Sequence, residues 1–157
     1  MSSEYPDELA NEILCLSGIV SKERILDIGC GPGNATILFA RKGYSILGGE
    51  LGEHLAALAI EKCRSYPRVR TLHMAFEDWK PEERGFEMAQ AADSFHWIPP
   101  EIGYPGVARA LKKTGSLGFF WRVPVDPGTD WSREINSPYQ EIAPQCINPD
   151  KGLPLNG

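Results

Sequence analysis

Three glycines at alternate positions constrain this chain most, in the stretch ILDIGCGPGNAT at residues 25–36. The apolar residues before the glycines are typical of a buried strand, and those after them are typical of a helix. Glycine tolerates a positive φ, and its missing Cβ lets a ligand approach the backbone. Gly29, Gly31 and Gly33 therefore predict a turn on which a nucleotide-like ligand lies, beside the free N–H groups of a helix start. For this motif taken alone, a glycine-rich connection without a ligand is an equally good interpretation.

Strand-like and helix-like segments alternate from residue 24 to residue 123. This order is typical of an α/β layered fold, in which right-handed helical crossovers join parallel strands. Five strands are predicted, at residues 24–29, 44–50, 69–75, 86–92 and 116–123. In such a sheet, ligands bind at the carboxyl ends of the strands, where the strand order reverses.

Helical periodicity fills most of the connections between these strands. Residues 7–19 predict an amphipathic helix with Asp7 as its N-cap. Its inward side chains are predicted to be Leu9, Ile13, Leu16 and Ile19. Further helices are predicted at 34–42 and 53–64, and a helix within 99–115 is predicted to be broken early by glycine and proline. The inward residues of the helix at 53–64 are predicted to be Leu55, Leu58 and Ala59.

An acidic residue, Glu50, ends the second predicted strand, 21 residues after Gly29. A carboxylate at this strand tip can accept hydrogen bonds from both hydroxyls of a ribose, although a solvated strand-end carboxylate is the alternative. The dinucleotide fingerprint G-x-G-x-x-G has one more residue before its third glycine than the G-C-G-P-G of this chain. With no nearby Lys or Arg for phosphates, the pattern favours a nucleoside without phosphates over NAD.

The composition narrows the classes of partner. Lys and Arg number 16 against 21 Asp and Glu, for a net charge of −5 without a basic stripe, so we expect no nucleic-acid partner. No apolar run approaches membrane-spanning length and the N-terminus lacks a signal-peptide pattern, so we expect no membrane partner and a cytoplasmic location. The four dispersed cysteines are expected to be reduced and buried, and with the three dispersed histidines they predict no metal site.

Several separated motifs occur in the order found in one family. ILDIGCGPGNAT, Glu50, FEDW at 76–79 and SFHWI at 94–98 together resemble the class I S-adenosylmethionine-dependent methyltransferases. The resemblance covers about Tyr5 to Val123 and is greatest to the small-molecule branch, which includes quinone-biosynthesis and trans-aconitate methyltransferases. It implies a Rossmann-like, doubly wound, mostly parallel sheet, S-adenosyl-L-methionine as the cofactor and a small molecule as the methyl acceptor.

The resemblance also implies which positions meet the cofactor. The family's first motif passes under the methionine part and the ribose, and it matches Asp27, Gly29, Gly31 and Gly33. Cys30, inside this loop, stands where the family carries a small residue that fills space. Glu50 matches the acidic residue that holds the ribose hydroxyls. Leu51 falls where an apolar residue packs on the adenine face.

Further positions follow the third and fourth predicted strands. Phe76 and Glu77 match the segment that flanks adenine. Ala92 and Asp93 fall at the mouth facing the methionine end of the cofactor. His96 and its neighbour Trp97 match a pair that lines the junction of cofactor and acceptor.

The implied reaction is transfer of a methyl group from a sulfonium to a small-molecule nucleophile by in-line displacement. Its leaving group is a neutral thioether, so alignment of the reactants in a dry site would supply most of the rate. An acceptor hydroxyl or acidic carbon would also need a base, for which His96 and Asp93 are the nearest candidates.

The family's sheet has seven strands, whereas five are predicted in this chain. We assign the methyltransferase core to residues 1–123, while residues 124–157, with six prolines and three glycines, are predicted to be irregular. The terminal hairpin would then be missing, which predicts a C-terminally shortened variant or a fragment. Two alternatives stay open: a non-catalytic module that binds the nucleoside or a partner protein, and a nicotinamide-dependent oxidoreductase. The sequence predicts no oligomeric state.

Overall fold

Five parallel strands form one sheet in the described part of the chain. A computed structural model describes residues 5–20, 22–80 and 85–122, and those up to Trp121 belong to one compact unit, Met1–Trp121. The strands are β1 Arg24–Ile28, β2 Ser45–Glu50, β3 Val69–His73, β4 Phe86–Ala92 and β5 Leu111–Phe120. Their order across the sheet is β3-β2-β1-β4-β5, and every neighbouring pair is parallel. The predicted α/β fold is confirmed, while the predicted irregular segment 124–157 lies outside the described residues.

Helices connect these strands. Within the described residues they are α1 Asp7–Ser17, α2 Asn34–Ala40, α3 Glu53–Cys63 and α4 Pro100–Ala110, with a short 3-10 turn at Phe95–Trp97. In this part of the chain, no helix has both the length and the apolar character that crossing a membrane requires. The prediction of Asp7 as N-cap of α1 is wrong. Pro6 takes that position with an extended backbone at φ −67° and ψ 145°, so Asp7 is already the first helical residue.

Separate apolar clusters cover the two faces of the sheet. On one face, Ile25 and Ile46 pack with Phe39 of α2 and with residues of α1. On the other face, Leu26 packs with Val107 of α4. Successive residues of β1 thus point to opposite faces, as the pleat of a strand requires. Burial on both faces is typical of a parallel sheet.

The helix before β5 is continuous, although the sequence predicted an early break. α4 runs from Pro100 to Ala110 through Gly103, Pro105 and Gly106. A Cβ at Gly103 would lie 2.9 Å from the Phe95 ring, and one at Gly106 would lie 2.8 Å from the Phe76 ring. The two glycines let the helix approach these aromatic rings closely. Packing on the sheet therefore outweighs the poor intrinsic helix propensity of glycine and proline.

The inward predictions for α1 and α3 are only partly right. Ala10 of α1 is fully buried, and the predicted inward residues Ile13 and Ile19 pack against the same cluster, whereas Leu16, which we also predicted to point inward, is 89% exposed. In α3 the buried residues are Ala56, Ala59 and Cys63. The inward prediction is confirmed for Ala59 but wrong for Leu55 and Leu58, which are 42% and 51% exposed. The buried side chains of α3 are small because the helix packs closely on the glycine-rich turn: a Cβ at Gly33 would lie only 3.4 Å from the backbone of α3.

Strand β5 begins five residues before the predicted start at residue 116. Leu111 pairs with Phe86 and Ser116 pairs with Met88, so the register shifts between these two pairs. The residues between the pairs form an irregularity beside Glu87, whose carboxylate accepts a hydrogen bond from Lys112. A polar, irregular start of this kind carries no alternating pattern in the sequence, which explains why the strand start was placed too late.

Substitution of Gly103 tests the close packing of α4. In Gly103→Ala, overpacking against Phe95 should cost about 1–3 kcal/mol, partly offset by the better helix propensity of alanine, about 1 kcal/mol. We expect a net destabilisation of about 1 kcal/mol, measured as a lower urea midpoint. Gly49→Ala is the matched control, because nothing lies within 4 Å of a Cβ there. A Gly103 variant as stable as wild type would contradict this account of α4.

Candidate cofactor site

The predicted site residues meet at one edge of the sheet. The strand order reverses between β1, the central strand of the sheet, and its neighbour β4. The segment from residue 29 to residue 33, called here the glycine loop, leads from the carboxyl end of β1 into α2. The ends of β2 and β4 flank it on either side. In an open α/β sheet this is the position at which ligands bind.

All three glycines of the loop have positive φ, but their surroundings differ. At Gly29, with φ 64°, a Cβ would clash with the Cβ of Ser94 at 2.5 Å. At Gly33, with φ 84°, it would meet Cys63 at 3.3 Å. At Gly31, with φ 55°, nothing lies within 4 Å. Gly29 and Gly33 are thus required for close packing, whereas Gly31 leaves open space beside the backbone.

The carboxylate of Glu50 faces the glycine loop. Its Oε2 accepts a hydrogen bond from the Gly31 N–H at 2.8 Å, and its Oε1 accepts one from the Gly52 N–H at 2.8 Å. The residue is only 9% exposed. Each carboxylate oxygen has a second lone pair, so both oxygens can still accept hydrogen bonds from a ligand diol. Glu50 thus stands beside the open space at Gly31 with the acceptors that a ribose needs.

Asp27 lies beneath the glycine loop and is fully buried. Its Oδ2 accepts a hydrogen bond from the Thr36 hydroxyl at 2.6 Å, which ties the first turn of α2 to β1. Burial raises the pKa of Asp27 to about 6, against the opposing effects of Thr36 and the neighbouring Gln90 amide. In the described part of the chain, Asp27 Oδ1 and both Gln90 amide atoms lack a hydrogen-bond partner within normal geometry. Asp27 therefore supports the loop from below.

The cysteine inside the loop is also a packing residue. The Cys30 N–H donates to the carbonyl of Gly49 at 3.0 Å, and its Sγ lies 3.0 Å from where a Cβ on Gly48 would be. Burial raises the pKa of the Cys30 thiol far above its ordinary value, so the thiolate needed for nucleophilic chemistry does not form. Cys63 is a free buried thiol too, whereas Cys15 is exposed, so the prediction of buried cysteines is wrong there.

The predicted adenine-flanking residues lie in different environments. Leu51 directly follows Glu50 and is 69% exposed, and its carbonyl lies 3.0 Å from the Nε2 atom of His73. Phe76 packs in the core against Trp79, with ring centroids 6.0 Å apart, and Glu77 is exposed. Leu51 thus offers a free apolar surface at the site edge, while the ring of Phe76 is already engaged by the core.

Asp93 follows β4 in a conformation that is rare for a residue other than glycine. Its φ is 57°, a type of strain that is common at functional sites. Its N–H donates to the Phe120 carbonyl at 3.1 Å, and its Oδ2 accepts a hydrogen bond from the Tyr5 hydroxyl at 3.0 Å. Ala92 precedes it as the last residue of β4, half-buried. The segment before α1 thus reaches the mouth of the site.

The sequence analysis did not predict two residues that help to build the candidate site, Ser94 and Tyr5. Ser94 fills the space that Gly29 leaves, and its hydroxyl donates to the Ile28 carbonyl. A glycine with positive φ signals that something lies close to it, but the sequence cannot say which residue. Tyr5 also forms a T-shaped contact with Phe120, at 5.4 Å between ring centroids. No local pattern indicates a role for Tyr5, because both of its partners are about 90 or more residues away in the chain.

His96 and Trp97 lie in the 3-10 turn that follows Asp93. Both are exposed, Trp97 by 79%, and their ring centroids lie 5.0 Å apart. The imidazole of His96 makes no hydrogen bond within the residues that the structure describes, so it is available to a ligand. The same residues contain no group of His, Cys, Asp and Glu that could hold a metal ion.

Comparisons with known proteins give a family match and several relatives for this chain. Residues 25–115 match the family described as the methyltransferase domain. A Mycobacterium bovis protein named as an uncharacterized methyltransferase is 26% identical over 132 residues, which are 83% of this chain and 51% of that protein. The trans-aconitate 2-methyltransferase of Variovorax paradoxus is 29% identical over 119 residues, which are 72% of this chain and 45% of that protein. The chain thus spans about half the length of these relatives.

A solved structure agrees with the sequence relatives in fold. The Haemonchus contortus phosphoethanolamine N-methyltransferase 2, in complex with phosphomonomethylethanolamine and S-adenosylhomocysteine, aligns with a TM-score of 0.65 at 23% identity. The alignment covers 85% of this chain and 32% of that chain. The family match extends over more than half of the residues, so this chain belongs to the methyltransferase domain family, with the Rossmann-like fold and the cofactor, S-adenosylmethionine, that its motifs predicted.

Proposed function

We propose that this chain is the cofactor-binding core of an S-adenosylmethionine-dependent methyltransferase that acts on a small molecule. One observation carries the proposal: the Glu50 carboxylate is held by two backbone N–H groups beside the open space at Gly31. A ribose placed there would find two acceptors for its hydroxyls and no Cβ in its way. Family membership supports the same cofactor.

Each site residue has a proposed role. Glu50 holds the ribose, Gly31 provides the surface on which it lies, and the exposed Leu51 packs on one face of adenine. Glu77, exposed just after β3, is the polar neighbour of the adenine edge, and Phe76 positions that segment. Ala92 and Asp93 face the methionine end of the cofactor. The conformation of the glycine loop depends on the remaining residues, Asp27, Gly29, Cys30 and Gly33.

The rate of the proposed reaction depends mainly on how the chain positions the cofactor relative to the acceptor. The cofactor supplies an electrophilic methyl group on a sulfonium, whose loss as a neutral thioether needs no acid. The chain binds the adenosyl part, orients it and keeps water from the methyl group, which accounts for most of the expected rate. His96 or Asp93 would remove a proton from an acceptor hydroxyl or acidic carbon. Asp93 is the better oriented of the two, because Tyr5 and the Phe120 carbonyl fix its place.

Relatives support a small acceptor. The names of two of them specify trans-aconitate and phosphoethanolamine. No contact in the described part of the chain favours a non-catalytic module, and the family match removes the reason to consider a nicotinamide-dependent oxidoreductase. The cytoplasmic location, the absence of a nucleic-acid partner and the boundary of the core at residue 123 are proposals that rest on the sequence alone.

Calorimetric titration with S-adenosylhomocysteine tests the role of Glu50. In Glu50→Ala, loss of hydrogen bonds to a charged group should weaken binding by about 1–3 kcal/mol. The control is Glu61→Ala, a 76% exposed glutamate on α3 that should leave binding unchanged. A 2′,3′-dideoxy analogue of the ligand separates ribose contacts from loop distortion. Wild type should lose affinity for it, and Glu50→Ala should not; equal losses in both proteins would refute the ribose contact.

Gly31→Ala tests the open space at the glycine loop. The added Cβ would enter the proposed cofactor space, and overpacking of about 1–3 kcal/mol predicts roughly tenfold weaker binding or worse. Gly18→Ala is the matched control, because Gly18 also has positive φ, 67°, and an open surrounding. Both variants should lose similar stability, about 1–2 kcal/mol for the left-handed backbone. Unchanged S-adenosylhomocysteine binding by Gly31→Ala would place the ligand elsewhere.

Transfer of label from methyl-labelled S-adenosylmethionine tests the activity. With an extract of small metabolites as acceptors, we expect label in the low-molecular-weight fraction, and less of it with Glu50→Ala at a subsaturating cofactor concentration. Label found only in macromolecules would refute a small acceptor. A protein that binds S-adenosylhomocysteine but transfers no label from any extract would be a binding module.

A further inference from the structure

A cavity of about 370 Å³ opens on the face of the sheet that carries α4, at the other end of the strands from the glycine loop. It lies beside the first residues of β1 and β2, whereas Glu50 is the last residue of β2. At about 3.3 Å per residue, the two ends of β2 are roughly 17 Å apart. Along β3 the cavity extends further, to Leu72, which pairs with Gly49. The lining residues are Arg24, Ser45, Ile46, Leu47, Arg68, Arg70, Leu72, Trp79, Lys80 and Phe86.

Positive charge surrounds this cavity. Among the described residues that line it, four side chains are cationic and none is acidic, although the chain as a whole carries a net charge of −5. Arg68, Arg70 and Lys80 are exposed, so their charged groups can reach a ligand. Within the described residues, the side chains of Arg70 and Lys80 make no ion pair and no hydrogen bond. Like charges gathered in one place repel each other, and an anionic ligand would relieve that repulsion.

The floor of the cavity is apolar and aromatic. Phe86 is 1% exposed, and its ring centroid lies 5.8 Å from that of the half-buried Trp79. The guanidinium of Arg24 lies 4.6 Å from the Phe86 ring centroid, in cation–π geometry. Leu47 and Leu72 are half-buried on the same floor. This combination of a cationic rim and an apolar floor matches a ligand that has both a charged group and a hydrophobic body.

The charge of the cavity argues against a second copy of the cofactor. S-adenosylmethionine carries a positive sulfonium, which four surrounding cations would repel. The volume is within the range of small-molecule sites, about 300–1,000 Å³. The cationic groups are of the type that binds carboxylates and phosphates.

We propose that this cavity is a second binding site, for a small organic anion that carries a carboxylate or phosphate beside an aromatic or aliphatic body. Arg70 and Lys80 bind the anionic group, with Arg68 beside them. The body lies on Trp79 and Leu72. The site is separate from the proposed methyl transfer, because its described lining includes neither Glu50 nor the glycine loop.

Calorimetric titration with phenyl phosphate, in the presence of saturating S-adenosylhomocysteine, tests the proposal. Wild type should bind it, and Arg70→Glu should weaken binding at least tenfold. The control is Arg64→Glu, which makes the same change of charge at an 81% exposed position directly after α3 and should change affinity less than twofold. Inorganic phosphate should bind at least fivefold more weakly than phenyl phosphate, since it cannot use the floor. Binding of phenyl phosphate should weaken as salt rises.

Each contrary result overturns a definite part of the proposal. No binding of phenyl phosphate to wild type, or equal losses in Arg70→Glu and Arg64→Glu, would refute the site. Equal affinity for inorganic phosphate would refute the role of the apolar floor. A short polyglutamate peptide that binds more than tenfold tighter than phenyl phosphate would show an acidic protein partner instead. None of these outcomes depends on methyl transfer, so the two proposals fail separately.

Discussion

The carboxylate of Glu50 holds the parts of the candidate site together. It joins the end of β2 to the glycine loop through the Gly31 N–H and to the segment before α3 through the Gly52 N–H. At 9% exposure a carboxylate without hydrogen bonds would be costly, and the two N–H donors supply one to each of its oxygens. The left-handed backbone of Gly31 is part of the loop turn that presents this N–H to the carboxylate. Loop conformation and carboxylate orientation therefore depend on each other, and the remaining contacts of the site are arranged around this pair.

The buried polar side chains under the glycine loop lower the stability of the folded state. Burial raises the pKa of Asp27 to about 6, above the value of about 3.9 in an unfolded chain. The folded state therefore binds the proton more tightly, and stability is lost as the pH rises from about 4 through about 6. Gln90 adds a buried amide without normal hydrogen bonds in the described region. Polar groups retained in a core against stability are typical of functional sites, and this one lies where the strand order reverses.

Sequence patterns predicted the features that depend on neighbouring residues in the chain, such as the limits of a buried strand. The limits of β4 are those predicted, and Glu50 does end β2 beside the glycine loop. Predictions failed where a tertiary contact decides the outcome. Gly103 and Gly106 weaken a helix in isolation, yet they are what lets α4 pack on the rings beneath it. Leu58 was expected inside because of its helical spacing, but the close approach of α3 to Gly33 leaves room there only for alanines and cysteine. The role of Tyr5 depends on partners far along the chain, which no local pattern reveals.

In the proposed reaction, the carboxylates of Glu50 and Asp93 would affect binding and rate differently, because only one of them would face the sulfonium charge. Ribose is unchanged when the methyl group leaves, so Glu50 would bind cofactor and product alike and contribute affinity rather than rate. Asp93 is different, because we propose that it faces the methionine end, where the sulfonium charge would disappear during transfer. A bare carboxylate there would stabilise the charged cofactor more than the transition state and so slow the reaction. The hydrogen bond from Tyr5 reduces the charge that Asp93 presents, and it thereby lessens this penalty while keeping the carboxylate in position to accept a proton.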